Sequence, residues 1–126
     1  MSSDATQVVR RYFAAWPARD RAGAEAVVAA DFHFTSPLDN RLDRDTFFAR
    51  CWPNSKTMRS LDLKRVVADG ATVFVTYELT HQDGHRLRNS EVLTVRDNHV
   101  IEVEVYFGWT LPHRAPTGGY LEGEEI

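Results

Sequence analysis

The stretch RSLDLKRVVADGATVFVTYELTH, residues 59–81, decides the fold. Apolar and polar residues alternate along both of its halves, and the β-branched and aromatic residues of the second half favour extended strands. Between the halves, Asp69 and Gly70 form a dipeptide that is typical of tight hairpin turns. The pattern therefore predicts two antiparallel strands joined by a short turn.

The two-residue period continues towards the C-terminus. QDG at residues 82–84 and RDNH at residues 96–99 are further turn sequences, and they bound alternating segments at 85–95 and 100–109. Together with the first two strands, these segments predict an antiparallel meander of four strands.

The N-terminal residues have the period of a helix instead. Apolar side chains from Val8 to Trp16 recur on one helix face, after Asp4 and Gln7, which have the spacing of a capping box. Because Pro17 cannot continue a helix, the sequence predicts a first amphipathic helix that ends before this proline.

Three more elements are predicted between this helix and the meander. Asp20 can cap a second, alanine-rich helix over 21–30, alternation predicts a short strand over 31–37, and Asp43 can cap a third helix over 44–52. The predicted order is α-α-β-α-β-β-β-β, an α+β fold in which helices cover one face of the sheet.

The chain of 126 residues fits one domain. We expect this domain to occupy residues 1–110. Residues 111–126 are rich in glycine, proline and acidic residues, and we expect them to form a C-terminal arm or a partly disordered tail. Strands such as residues 72–79 are apolar on both faces, so the outer face of the sheet also needs a cover. A second copy of the chain, in a homodimer, is the economical cover.

Composition narrows the partners and the location. The net charge is −3 and the 15 basic residues are dispersed, which disfavours nucleic acid as a partner. The N-terminus lacks the pattern of a secretory signal and no apolar run is long enough to span a bilayer, so we expect a cytoplasmic location and no membrane partner. Cys51 is the one cysteine, which excludes an intrachain disulfide, and we expect it to pack in the core.

Two segments carry a resemblance to a known family. VVRRYFAAWPARDRAGAEAVVAADFHFTSPLDN, residues 8–40, and VIEVEVYFGW, residues 100–109, resemble the nuclear transport factor 2-like superfamily, in its SnoaL-like and ketosteroid-isomerase-like branch. The resemblance implies a cystatin-like cone, often dimeric, in which a curved antiparallel sheet wraps around the N-terminal helix and its open end holds a mostly apolar pocket. Because members include isomerases, hydrolases, dehydratases, cyclases and proteins with no known reaction, the fold alone does not name the chemistry.

The resemblance also implies site positions. Ketosteroid isomerases use a tyrosine on the first helix, an aspartate before a proline as the base, and a neutral aspartic acid on a late strand. By resemblance, Tyr12 takes the position of the tyrosine, Ser36 before Pro37 takes that of the base, and one residue of 89–91 takes that of the late-strand acid. A serine hydroxyl has no useful basicity near neutral pH, so the sequence argues against the unmodified isomerase mechanism.

Four side chains are candidate catalytic groups, and each has a structural alternative. Tyr12 can polarise a ligand oxygen or be a core tyrosine, and Asp39 can replace the missing aspartate or form the turn that follows Pro37. His33 can transfer protons near Ser36 or face water. Glu91 can be a buried acid or base, or can belong to a solvated face.

Further residues are expected to bind the ligand: Phe13, Trp16, Phe34, Ser36, Tyr106 and Trp109. None of the five histidines has the spacing of a metal site, and no glycine-rich phosphate loop is present, so we expect no metal and no cofactor. The sequence predicts a pocket for a small, largely apolar molecule. Two functions remain open: a cofactor-independent isomerase, dehydratase or cyclase that acts by proton transfer, or a non-catalytic ligand-binding or dimeric assembly domain.

Overall fold

The computed structural model describes residues 4–123. Its helices are α1 (Asp4–Ala15), α2 (Arg21–Ala26), α3 (Arg44–Cys51) and a 3₁₀ helix (Trp52–Thr57). Its strands are β1 (Val28–Ser36), β2 (Asp39–Asp43), β3 (Met58–Asp69), β4 (Thr72–His81), β5 (Arg86–Arg96) and β6 (His99–Leu111). None of these helices is long and apolar enough to cross a membrane.

All six strands form one curved sheet in the order β2-β1-β6-β5-β4-β3. Neighbouring strands are antiparallel except β1 and β6, which are parallel. α1 packs across one face of this sheet and contacts β3, β4, β5 and β6. The predicted α+β fold, with a curved sheet around the N-terminal helix and a meander of four strands, is confirmed.

The core lies between α1 and the inner face of the sheet. Val8, Val9 and Phe13 on α1 are buried, and so are Val73 and Val75 on the inner face of β4. Fully burying such a side chain contributes roughly 1.5–3 kcal/mol, so this layer provides much of the stability of the fold. Beside this apolar layer, the inner face of the sheet also carries a few polar groups.

The predicted helix caps are present at α2 and α3. The side chain of Asp20 accepts a hydrogen bond of 2.9 Å from the Gly23 amide, and the side chain of Asp43 accepts one of 2.8 Å from the Thr46 amide. Each cap satisfies a backbone N–H that the first turn of a helix cannot pair internally.

Two of the predictions are wrong: the end of the second helix and the number of strands. The second helix ends at Ala26 rather than residue 30, because the backbone from Val28 onward extends along β6 in strand β1. The structure also has the strand β2, where the sequence predicts a turn or loop. This short polar strand has no clear alternation, and its pairing with β1 is a tertiary contact that local sequence does not reveal.

Strand β6 contains a bulge at Gly108. Arg88 pairs with Trp109 and the next residue, Asn89, pairs with Phe107, so Gly108 has no partner in the ladder. A Cβ atom at Gly108 would lie 2.0 Å from the carbonyl oxygen of Arg88, so only glycine allows this approach of the two strands.

We predict that Gly108→Ala lowers the free energy of unfolding by about 1–3 kcal/mol, because the two backbones must separate to admit the methyl group. Urea denaturation of the purified variant measures this change. Gly123→Ala is the matched control, since a Cβ atom there meets nothing within 4 Å. Equal effects of the two substitutions would contradict the role of the bulge.

Candidate functional site

A cavity of about 160 Å³ lies between α1 and the inner face of the sheet. Asn54 and Phe107 line it and are exposed, so the cavity reaches the protein surface beside them. A dry cavity of roughly 150 Å³ can hold benzene, so this one has room for about six to eight non-hydrogen atoms. Its lining residues are Tyr12, Phe13, Trp16, Phe34, Phe47, Cys51, Asn54, Met58, Leu61, Tyr77, Leu79, Asn89, Glu91, Val105 and Phe107.

Glu91 is the one carboxyl group in this lining. It lies on the inner face of β5, opposite Val75 and Val105, and is buried. Burial, which disfavours the charged form, raises the pKa of Glu91 from its ordinary value of 4.5 to about 7, against the opposing effect of a hydrogen bond from Tyr77. The side chain can therefore accept or donate a proton near neutral pH.

A chain of hydrogen bonds with a defined direction holds Glu91. The Gly108 amide N–H donates to Asn89 Oδ1 at 3.1 Å, which identifies the oxygen of that side-chain amide. Asn89 Nδ2 donates to the Tyr77 hydroxyl at 3.3 Å, and Tyr77 donates in turn to Glu91 Oε2 at 2.7 Å. Glu91 Oε1 is buried and has no hydrogen-bond partner among the described residues.

Two tyrosines of the lining keep their phenolic protons. Burial, followed by the nearby carboxyl of Glu91, raises the pKa of Tyr12 well above its ordinary value, and the same two causes raise the pKa of Tyr77. Both groups are therefore hydrogen-bond donors at physiological pH. Tyr77 uses its proton on Glu91, while Tyr12 is held by ring contacts with Phe13 and Trp16 at centroid distances of 5.4 and 6.0 Å.

The candidates Ser36 and Asp39 lie outside the cavity lining. Ser36 Oγ donates to Asp39 Oδ2 at 2.8 Å and accepts from the Leu38 amide at 3.0 Å. The other oxygen of Asp39 accepts a hydrogen bond from Arg50 of α3. In this position the Asp39 carboxylate connects the β1–β2 turn to α3, and both of its oxygens have partners.

Three other candidates also lie away from the cavity. His33 and the buried Phe34 lie on opposite faces of β1. The Nδ1 atom of His33 lies 3.2 Å from Arg41 Nη2. Tyr106 is 54% exposed and Trp109 is 47% exposed, both on strand β6. The structure thus brings Tyr12, Glu91, Phe13, Trp16 and Phe34 to one cavity and leaves His33, Asp39, Ser36, Tyr106 and Trp109 outside it.

Sequence reasoning did not single out Tyr77. The alternation of residues 72–79 places Tyr77 on the same face as the buried Val75, so a polar group pointing inward was visible in the pattern. The pattern does not reveal the hydrogen-bond partners of Tyr77, because they follow from the register that sets Tyr77 opposite Asn89. Asn89 itself was one of three alternatives for the late-strand acid.

Cys51 lines the cavity without the features of a nucleophile. Burial, followed by the nearby charge of Asp39, raises the pKa of Cys51 to about 11, so the side chain is a neutral thiol. Within residues 4–123, no group of three or more histidine, cysteine, aspartate or glutamate side chains is arranged to hold a metal ion.

Comparison with known proteins places the chain among proteins of this fold. A family model described as a SnoaL-like domain matches residues 9–103. No curated protein matches the chain.

Several solved structures are similar to it. A protein from Kribbella flavida DSM 17836 is 25% identical with a TM-score of 0.77, over 85% of this chain and 88% of that one. An NTF-2 like protein of unknown function from Burkholderia xenovorans LB400 is 17% identical with a TM-score of 0.74, over 94% of both chains. A provisionally assigned ketosteroid isomerase from Kribbella flavida DSM 17836 is 22% identical with a TM-score of 0.72, over 94% of this chain and 88% of that one.

We predict that Glu91 makes the protein less stable as pH rises. Its folded pKa of about 7 lies above the ordinary 4.5, so between these values only the unfolded chain loses the proton, and the free energy of unfolding falls by about 3 kcal/mol. Glu91→Gln cannot ionise and removes this loss. We expect the free energy of unfolding of the variant, relative to that of the wild type, to increase by about 3 kcal/mol from pH 4 to pH 8. Urea denaturation at the two pH values measures this difference.

Asp45→Asn is the control for this measurement, because Asp45 is exposed on α3, away from the sheet. Its stability should follow that of the wild type at both pH values. If Glu91→Gln also follows the wild type, the carboxyl of Glu91 is not the buried, weakly acidic group described above.

Proposed function

The chain belongs to the SnoaL-like domain family, and we propose that it binds a small, largely apolar molecule in the cavity beside α1 and exchanges a proton with that molecule through Glu91. The observation that carries the proposal is the placement of Glu91: it is buried in the cavity wall, with one oxygen bonded to Tyr77 and the other without a partner. The similar structure of a provisionally assigned ketosteroid isomerase, at 22% identity, supports the fold alone.

The proposed chemistry is proton transfer at carbon. Ionised Glu91 takes a proton at Oε1 from a carbon next to a ligand carbonyl, the C–H electron pair moves into the enolate, and the Tyr12 hydroxyl stabilises the developing oxyanion. Returning the proton to another carbon completes an isomerisation, and giving it to a leaving hydroxyl completes a dehydration. No electrons are gained or lost, so the proposed reaction requires no redox cofactor.

Ser36, which stands directly before Pro37 at the β1–β2 turn, favours a second function, ligand binding without catalysis. The resembling isomerases carry their base before the proline, and here Ser36 stands in that place while Asp39 is paired with Arg50. A chain that kept the cavity and lost this base would bind ligands without turnover. The two functions differ in whether Glu91 moves a proton of the bound ligand.

We predict that the wild type accelerates deuterium incorporation next to the carbonyl of small ketones in D₂O, followed by proton NMR. The rate should rise with pH through about 7, as Glu91 ionises. Glu91→Gln should lower the rate roughly 100-fold or more, the usual contribution of a general base. Glu104→Gln, outside the cavity, should retain the wild-type rate.

Binding of a ketone without accelerated exchange would refute proton transfer and favour the ligand-binding function. An exchange rate that survives Glu91→Gln would show that another group is the base. Either outcome is decided with the same panel of ketones and the same two variants.

We also propose that the protein forms a homodimer through the outer face of its sheet. Val67 and Phe74 are paired neighbours on β3 and β4 and are 59% and 46% exposed, and Tyr106 on β6 is 54% exposed. Exposed apolar side chains on adjacent strands are typical of surfaces that are covered by another molecule. Helices cover the inner face of the same sheet, so a second copy is the economical cover for the outer one.

We predict that Phe74→Lys shifts the protein towards the monomer, because it places a charge within the apolar surface of each partner. Light scattering coupled to size-exclusion chromatography measures the mass. Leu38→Lys is the control, since Leu38 is 72% exposed in the β1–β2 turn, away from this face. A wild type that elutes as a monomer at all concentrations would contradict the proposal.

A further inference from the structure

We infer that the indole N–H of Trp16 is a second polar contact for the ligand, and that the ligand is a small uncharged carbonyl compound. The inference rests on the cavity and on the proposed role of Glu91, and it adds the group that holds the ligand oxygen. Trp16 was expected from the sequence only as a lining residue.

Two buried polar atoms without hydrogen-bond partners belong to residues that line the same cavity. They are Trp16 Nε1, a donor, and Glu91 Oε1, which accepts a proton when ionised and donates one when neutral. Buried polar groups of this kind are rare in folded proteins, because each unmade hydrogen bond is costly. The third such atom in residues 4–123 is Arg88 Nε, and Arg88 is not part of the lining. In the proposal, one ligand in this cavity pairs with both of these orphaned atoms.

Aromatic packing holds the Trp16 indole in place. Its ring lies 4.8 Å from that of Trp52 and 5.7 Å from that of Phe47, measured between centroids. Tyr12 lies one helical turn earlier on the same face of α1. The Trp16 N–H is close enough to the Tyr12 hydroxyl to oppose slightly the rise in its pKa, although the two do not form a hydrogen bond of good geometry. Tyr12 and Trp16 thus provide two neighbouring donors for the proposed carbonyl oxygen.

The lining excludes an anionic ligand. It contains no lysine, arginine or histidine, and its one carboxyl group, Glu91, becomes negative as pH rises. A ligand carboxylate would have no cation to pair with and would be repelled by Glu91. The volume of about 160 Å³ limits the ligand to a single six-membered ring with a small substituent. An uncharged cyclic ketone meets all of these requirements.

The test uses three probes of similar size: cyclohexanone, methylcyclohexane, which lacks the oxygen, and cyclopentanecarboxylate, which is charged. The chain has three tryptophans, so its ¹H–¹⁵N spectrum contains three indole signals. Trp109 does not line the cavity and its indole signal serves as the internal control. Cyclohexanone should shift the Trp16 indole proton downfield. Methylcyclohexane should not do so, and cyclopentanecarboxylate should bind at least roughly tenfold more weakly than cyclohexanone.

A variant completes the test. Trp16→Phe should weaken cyclohexanone binding roughly three- to tenfold, the cost of one hydrogen bond, and should change methylcyclohexane binding much less. Trp109→Phe, outside the cavity, should spare both. An unmoved Trp16 indole signal, or an equal loss of both probes in Trp16→Phe, would overturn the inference. If the variant does not fold, the wild-type spectrum decides.

The outcome is separable from that of the proposed function. A Trp16 indole signal that responds to cyclohexanone, without accelerated deuterium exchange, supports the recognition and refutes the proton transfer. Accelerated exchange with an unmoved Trp16 signal supports the proton transfer and refutes the recognition.

Discussion

The burial of one carboxyl group, Glu91, is the constraint around which this site is organised. Taking a charged carboxylate out of water costs several kcal/mol, and a single hydrogen bond from Tyr77 offsets only part of that cost. Glu91 therefore keeps its proton up to about pH 7. The bulge at Gly108 also helps to position this site. The Gly108 amide donates to Asn89, and Asn89 donates to Tyr77, the partner of Glu91. A buried carboxyl group that costs stability is typical of a functional site.

The protein contains two carboxyl groups that sequence reasoning treats alike and the fold treats differently. Asp39 lies outside the cavity, where Ser36 and Arg50 pair with both of its oxygens. Glu91 lies inside, with one oxygen unpaired. Environment rather than residue type assigns the roles, as in other proteins that use acids for proton transfer. The site that results differs from the three-group pattern of ketosteroid isomerases, since the acid on the late strand is the candidate base.

Much of the cavity wall was predictable from periodicity. The helix face of Tyr12, Phe13 and Trp16 and the alternation around Phe34 place these side chains inside, as observed. The surroundings of the acid on β5 are not predictable in this way, because the pattern of one strand does not fix the register of that strand against its neighbour. The pairing of β4 with β5 sets Asn89 opposite Tyr77 and Glu91 opposite Val75, and both side chains line the cavity.

The pairing of Asp39 with Arg50 could not be foreseen for a related reason. Arg50 lies on α3, and nothing in the local sequence brings that helix against the β1–β2 turn. Tertiary packing decides this contact, and with it the exclusion of Asp39 from the cavity. A turn-forming aspartate and a catalytic one look the same in the sequence.

The most direct test of this account is an NMR titration of the Glu91 side-chain carboxyl in the wild type, assigned by comparison with Glu91→Gln. The account predicts a midpoint at about pH 7, with a further rise when Tyr77→Phe removes the hydrogen bond to the carboxylate. The exposed Tyr106→Phe should leave the midpoint unchanged. A wild-type midpoint near the ordinary value of 4.5 would contradict the account, because it would mean that Glu91 is solvated and permanently ionised at neutral pH.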